Sequence, residues 1–434
     1  MHLQIEPEDF VASYNWAQAI SAPILAVSTN SPMLLGRELW DETRIALFRQ
    51  SVDTRISGRA LRDREPRVTF GRSWVKDSIM EIYKEDISRF PPLISIDITE
   101  DSHVALENGQ APKLKALATN NSTVYRWNRP CYGVNGGIPH MRIENRYIPS
   151  GPTTEDEIAN MALWVGVMLG RPEKWDSASE MMDFNDVRRN FLKAARTGIN
   201  SQFIWEGREI SAQELILNEF IPLAEAGLKK AGVESSDIER YLGIIRRRTH
   251  SHTGSQWTVK SFRNLRKTHK NGEARVKLTE AMYANTKSGQ TIDSWKVIEP
   301  VQKEGGLFRL PVWQVMTSSL ITAKSHDPAT LVSSVMRWMN IHHMPVENEK
   351  GEIIGLLTLS HMDKYYETKT SEAVTVEEIM IKNVRTIDPE LSVEEAMKLM
   401  KEERIGCLPV VNANGLVGLI TAHDMEEQAY GKSV

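Results

Sequence analysis

The last third of the chain is written twice, and this repeat constrains the fold more than any other feature. One copy reads VMTSSLITAKSHDPATLVSSVMRWMNIHHMPVENEKGEIIGLLTLSHMD and the next IMIKNVRTIDPELSVEEAMKLMKEERIGCLPVVNANGLVGLITAHDME. Met316 and Met380 stand 64 residues apart, as do Pro345 and Pro409, while Gly355 to Gly418 and Thr358 to Thr421 are both 63. Offsets this constant mark two copies of one structural unit. Each copy has the same grammar: a short β-branched run (LITA; VRTI), a proline and an amphipathic helix, then a strand (HHMPV; CLPVV). A polar turn (ENEKGE; NANG), a second strand (IIGLLT; LVGLIT) and a further helix follow. Val393, Ala396, Met397 and Met400 form one stripe at helical spacing, which reads as a packing face rather than a cofactor box.

Composition bounds the rest. A chain of 434 residues fits roughly two to four domains. With 41% hydrophobic and 25% charged residues it can bury a sizeable core. A net charge of −4 favours neither nucleic acid nor an anionic membrane as the main partner. Cys131 and Cys407 lie in unrelated settings, so no disulfide framework is expected and a reducing cytoplasm is. The most apolar helical run, residues 161–170, is too short to span a bilayer, and the opening MHLQIEPEDF lacks the regions of a signal peptide. Residues 246–277 hold ten Lys/Arg and one acid, Glu273. That stretch reads as a solvated face or a rim that steers anions, in preference to a nucleic-acid patch. His250 and His252 alternate but lack an evident third metal ligand.

Upstream of the repeat, AISAPILAVSTNSP reads as a helix end, a turn and a further apolar element. GRELWDETRIALFRQ reads as helical, with Leu39, Ile45, Leu47 and Phe48 partly buried. SWVKDSIMEIYKEDIS reads as another helix carrying Trp74, Ile79, Ile82 and Tyr83. STVYRWNRP and HMRIENRYI read as strands, GVNGG as a turn, and Thr154-Glu-Asp-Glu157 as a capping box opening the helix ANMALWVGVMLG. Helices are expected from Asp176 to Arg248, and 291–310 as a linker. In a strand over MRIENRYI, Arg142, Glu144 and Arg146 share one face, with Met141, Ile143 and Tyr147 on the other. Such a row is either a salt-bridge ladder on a solvated face or a cavity floor, where arginines hold anions and a carboxylate holds a metal.

The repeat resembles the cystathionine-β-synthase-type (CBS) domain as a tandem pair, over about residues 311–434 with copies near 312–366 and 375–430. The resemblance implies an α/β module that binds AMP, ADP, ATP or a related adenosine ligand. In that family a Thr/Ser-x-x-Asp motif, at the entry to the last helix, holds the ribose. It stands intact as Thr421-Ala-His-Asp424, with Thr386 as a further nucleotide contact by resemblance. The first copy reads Thr358-Leu-Ser-His361, so histidine replaces the aspartate beside Thr358. Helix capping alone also explains Thr421 and Asp424. CBS modules commonly pair, so a homodimer is expected.

Four stretches, HLQIEPEDF, AVSTNSPMLLGRELWDETRIALFRQ, STVYRWNRPCYG and PHMRIENRYIPSGPTTEDEIANMALWVGVMLG, resemble the glutamate–cysteine ligase family in its bacterial carboxylate–amine ligase branch. RIENR is more distantly similar to the Arg-x-Glu-x-Arg strand of glutamine synthetases. The resemblance implies an α+β fold over residues 1–290, with a partial glutamine-synthetase-like antiparallel sheet that cradles ATP, Mg²⁺ and an acidic substrate. Position by position, it makes Glu144 a Mg²⁺ ligand, sets Arg142 and Arg146 on phosphate or substrate carboxylate, and sets Arg126 and Arg129 on transferring phosphoryl oxygens. His2 falls near metal and nucleotide, and Arg44 becomes an anion contact. The implied chemistry is carboxylate activation as an acyl phosphate, followed by amine attack.

The family carries a further half-domain ahead of the position of His2, with a Glu-rich strand supplying most metal ligands, and that strand is not in this sequence. One carboxylate cannot coordinate the two or three metals the chemistry uses. Two readings follow: a ligase-type protein regulated through its CBS pair, not expected to be active as this chain alone, or a non-catalytic nucleotide sensor or scaffold.

Overall fold

The structure is a computed structural model that describes residues 1–53, 66–97, 100–300, 310–368, 374–413 and 415–424. The chain divides into two compact units, Met1–Pro300 and Val301–Val434.

The first unit opens with strand β1 (His2–Ile5) and two buried helices, α1 (Phe10–Ala19) and α2 (Ser21–Ser28). Pro23 separates the two helices. It has no N–H to offer the carbonyl four residues back, and its ring crowds that turn. Helix α3 (Met80–Arg89) buries Ile82, Tyr83 and Asp86, and α4 (Lys115–Ser122) follows. Trp74 and Ile79, expected inside the former helix, precede it. The helix expected over GRELWDETRIALFRQ covers only Thr43–Ser51, and Leu39 and Leu47 are exposed.

Strands β2 (Asn128–Asn135) and β3 (Ile138–Asn145) form a hairpin closed by Gly136 and Gly137, at φ +58° and +84°. Both loop residues at positive φ are what a two-residue hairpin needs. The three strands make an antiparallel sheet in the order β1-β3-β2. Tyr125–Arg126 stands apart as a short strand beside Val68–Thr69. On one sheet face Leu3, Met141 and Ile143 join the main core, and the chain continues into the buried Tyr147.

Helix α5 (Thr154–Leu169) is capped by Thr153, whose hydroxyl accepts from Asp156 N, so the cap stands one residue before the position read from sequence. Asp156 is fully buried and paired at 2.8 Å with Arg248 of α7 (Ser235–His250), which also donates to Asn160. Between them α6 (Ile221–Lys230) crosses α5 at Gly166, Gly170, Ala224 and Gly227. Trp16, Trp175 and Trp205 stack beneath, with ring centroids 5.0 and 4.9 Å apart. The helical run expected from Asp176 is interrupted by the hairpin Gln202–Trp205/Arg208–Ser211. The expected linker begins as core, because Ile292 and Trp295 pack with Trp257. Its residues 301–309 lie outside the described residues.

In the second unit the repeat reappears as topology. Strand β4 (His343–Glu347) pairs with β5 (Ile353–Thr358), and β6 (Cys407–Asn412) with β7 (Gly415–Thr421). Both hairpins carry the same bulge, after Val346 and after Val410. The parallel pairing of Ala323 with Val346 recurs as that of Ile387 with Val410. What the repeat did not reveal is an exchange of leading segments. Val312 and Val315, at the head of the first copy, lie in the core of the second; Val376 and Ile379, at the head of the second, lie in the core of the first. The evenly spaced landmarks serve this exchange. A Cβ on Gly418 would fall 2.2 Å from Met316 Sδ, and one on Gly355 would fall 2.4 Å from Met380 Sδ.

Candidate functional site

The sheet register builds the site. Each β2–β3 pair lies symmetrically about the glycine turn, so Arg129 stands opposite Glu144 and Cys131 opposite Arg142. On the other side of β3, His2 stands opposite Glu144 and Gln4 opposite Arg142. Glu144 Oε2 accepts from Arg129 Nε at 2.6 Å and pairs with Arg146 Nε at 3.1 Å, while Oε1 lies 3.6 Å from His2 Nε2. Burial works against ionisation of Glu144, but the Arg146 and Arg129 guanidiniums outweigh it and hold the carboxyl below its usual range. Burial lowers the His2 pKa, and Arg142 adds to this against the pull of Glu144, so the imidazole is neutral near pH 7. Burial pushes the Cys131 thiol up.

The structure brings together His2, Arg129, Arg142, Glu144 and Arg146. Arg142 lies across Gly133, where a Cβ would come within 3.4 Å of its Nη2 and 2.8 Å of His140 Nε2. Its Nε is buried without a hydrogen-bond partner. Arg126 is placed elsewhere, buried and held by Asp86 (Nη2 to Oδ1, 2.7 Å) and Glu85 (2.9 Å). Arg44 donates to the carbonyls of Arg146 and Tyr147 and packs over Trp127, which fixes the chain leaving β3. Within the basic stretch, Arg248 is consumed by Asp156, Arg247 pairs with Asp293 and Arg263 with Glu38. His252 is buried against Ser251 while His250 is exposed.

Two guanidiniums hold one carboxylate on this face and a third, Arg142, stands on the same strand face, so the balance is positive and an anion suits it. His2, Cys131 and Glu144 also bring three potential ligand atoms within 4.8 Å of one another. The sequence reads Cys131 as structural; the hairpin register sets it opposite Arg142 and brings its Sγ to 3.9 Å from Glu144 Oε2. This set does not fit Mg²⁺ alone. It offers one hard oxygen donor whose other oxygen is held by two arginines, beside a thiol and an imidazole that the ion disfavours.

In the second unit Thr421 and Asp424 form a closed pair at the end of β7. Thr421 N and Oγ1 donate to Asp424 Oδ2 at 3.0 and 2.7 Å, and Asp424 N donates back to Thr421 Oγ1. The first copy keeps half of this device, with His361 N donating to Thr358 Oγ1 at 3.1 Å. Thr386 is exposed beside the bridging Ile387. His343 is desolvated by burial, which lowers its pKa, with His342 acting in the same sense and Asp424 in the opposite one. Among the described residues, no helix is long and apolar enough to cross a membrane.

Sequence comparison extends this picture. The CBS domain matches residues 312–367 and 376–428. A homoserine O-acetyltransferase of Methanococcus vannielii is 32% identical over 116 residues, which is 26% of this chain and 24% of that protein. The CBS domain-containing protein YhcV of Bacillus subtilis is 29% identical over 115 residues, 26% of this chain and 81% of that one. The match thus spans about a quarter of the length of the acetyltransferase. Among solved structures, the CBS domain pair of protein MJ0100, in complex with 5′-methylthioadenosine and S-adenosyl-L-methionine, is 27% identical over 27% of this chain and 97% of that one, with a TM-score of 0.25. The glutamate-cysteine ligase family 2 matches residues 1–280. The chain therefore belongs to glutamate-cysteine ligase family 2 and carries a tandem pair of CBS domains behind its ligase-family domain.

Proposed function

We propose that the first unit is an ATP-dependent carboxylate–amine ligase-type domain, and that adenine nucleotide bound by the CBS pair regulates it. The observation that carries this reading is the excess of guanidinium over carboxylate on one sheet face of a ligase-family domain. Arg129 and Arg146 are suited to phosphate oxygens and Arg142 to phosphate or a substrate carboxylate, for which fixed, forked donors are the strong ligands. The sheet is read as part of a glutamine-synthetase-like sheet. In the proposed reaction a carboxylate oxygen attacks the γ-phosphorus of ATP and ADP leaves. An amine then attacks the acyl carbon, expelling phosphate and giving up a proton. Thr421 and Asp424, released from one another, would offer a hydroxyl and a carboxylate to a ribose.

A second reading has its own support: Glu144 is the sole carboxylate in the sheet row and is already paired, which favours an anion or nucleotide sensor without turnover. Thermal melting and ATP consumption separate the two. Phosphate or ATP is expected to raise the melting temperature, Mg²⁺ alone to do little, and Arg146→Ala to reduce the anion effect. ATP consumption that depends on an added amino acid and changes with AMP supports the ligase. Stabilisation by ATP without consumption supports the sensor. No anion effect at all defeats both.

A further inference from the structure

Beyond Glu144 the polar face of the sheet runs into a cavity of about 240 Å³ bounded by α4 and by Tyr83 of α3. Among its lining residues, three present buried polar atoms without partners: Tyr83 Oη, Asn121 Oδ1 and Arg142 Nε. Buried polar groups are nearly always satisfied, so three orphans around one cavity point to a bound molecule. Their chemistry is defined. Asn121 Nδ2 donates to Pro130 O at 2.8 Å, which fixes the amide and leaves Oδ1 as an acceptor. Tyr83 is 4% exposed, and burial raises its pKa, so its hydroxyl stays protonated and donates. Arg142 Nε is a charged donor. Arg129 also lines the cavity, but its Nε is committed to Glu144. Leu114, Leu117 and Ala118 form its aliphatic wall, and Ser122, Cys131 and Tyr132 complete the lining. Leu114 sits in the left-handed region at φ +49°, a conformation costly for a branched residue and one that recurs at ligand clamps.

We propose that this cavity binds a small aliphatic α-amino acid, with its carboxylate on Arg142 and Tyr83, its amine on Asn121 and its side chain along Leu114 and Leu117. One uncommitted guanidinium matches one carboxylate, which argues for a monocarboxylate over a dicarboxylate or a phosphate. A volume below the usual drug-sized range suits a molecule of this size. The proposal rests on the ligase reading only for the ligand's role as a substrate; binding itself stands on the cavity.

The test is calorimetry on the full chain without nucleotide, using alanine, valine and leucine. Isobutylamine and isovalerate, which are valine without its carboxylate and without its amine, serve as competitors, together with glutamate as a dicarboxylate and inorganic phosphate as a plain anion. Binding of an aliphatic amino acid is expected, weakened about tenfold or more when either the amine or the carboxylate is missing. Tyr83→Phe should weaken binding by about tenfold while leaving the melting temperature equal or higher, since it removes a buried unpartnered hydroxyl. Arg142→Gln should abolish binding. Absence of binding to all three amino acids, tighter binding of glutamate or phosphate, or unchanged affinity in Tyr83→Phe would overturn the assignment, with water as the occupant. Because ATP takes no part, these results are independent of whether the domain consumes it.

Discussion

Glu144 shows how far one residue's behaviour follows from its neighbours. The alternation of MRIENRYI places Arg142, Glu144 and Arg146 on one side without any structure. On that side Arg146 pairs with the carboxylate as in a ladder, Arg129 joins from the next strand, and Arg142 lines the cavity beyond. Desolvation alone would make Glu144 a weaker acid, yet Arg146 and Arg129 reverse the sign. A carboxyl held below its unfolded value contributes stability above that value, near pH 4.3, and loses it as pH falls through the folded one. Glu144→Gln should therefore be less stable than the native protein at pH 7, with the gap closing below about pH 4. Urea denaturation at the two pH values measures it; an equal gap at both would mean that the arginines do not hold the ionised form. Other roles were not legible because they depend on partners distant in sequence. Nothing near Arg126 announces Asp86, 40 residues away, and nothing near Arg44 announces the carbonyls of Arg146 and Tyr147.

At the scale of elements, the sequence was readable wherever the cause was local. The NGG turn dictates the β2–β3 register, the prolines and glycines divide the elements, and the repeat offsets carry the paired hairpins. Contacts between elements were not readable. The α5–α6 crossing has no periodic signature, since Gly166, Gly170, Ala224 and Gly227 are unremarkable until the helices meet. There they set the spacing: a Cβ on Gly227 would fall 2.0 Å from Gly166 O and 2.6 Å from Gly170 N. Both are backbone atoms that cannot rotate away, so the helices must separate. Gly227→Ala is expected to destabilise the first unit by about 1–3 kcal/mol or more, despite the better helix propensity of alanine. Gly418→Ala should cost less, because the obstacle there is a flexible methionine. Chemical denaturation of the two variants checks the order, and the reverse order would refute the packing argument. The exchanged leading segments were hidden for the same reason. A repeat reports that two units are alike, not which unit's core each segment enters.

For the whole molecule, the buried clusters fall within one unit or the other. Trp16, Ile143, Leu163 and Ile245 belong to the first, Val312, Val332, Val393 and Leu408 to the second. Domains with separate cores unfold separately unless a large interface couples them, so calorimetry of the full chain should show more than one transition. Ligands then identify the transitions, because a ligand stabilises only the unit whose native state binds it, by RT ln(1 + [L]/Kd). Phosphate should move the transition of the first unit. AMP or S-adenosylmethionine should move that of the CBS pair, and Asp424→Ala should remove this second shift, since losing a charged hydrogen bond costs about 1.5–3 kcal/mol. The same transition should rise with protein concentration if two copies pair through the module, as Leu331 and Trp338 on the helix Ala329–Trp338 invite by being 58% and 85% exposed. A single transition that every ligand moves alike would show that the units unfold as one. An AMP shift retained in Asp424→Ala would leave Thr421 and Asp424 as a helix cap and nothing more.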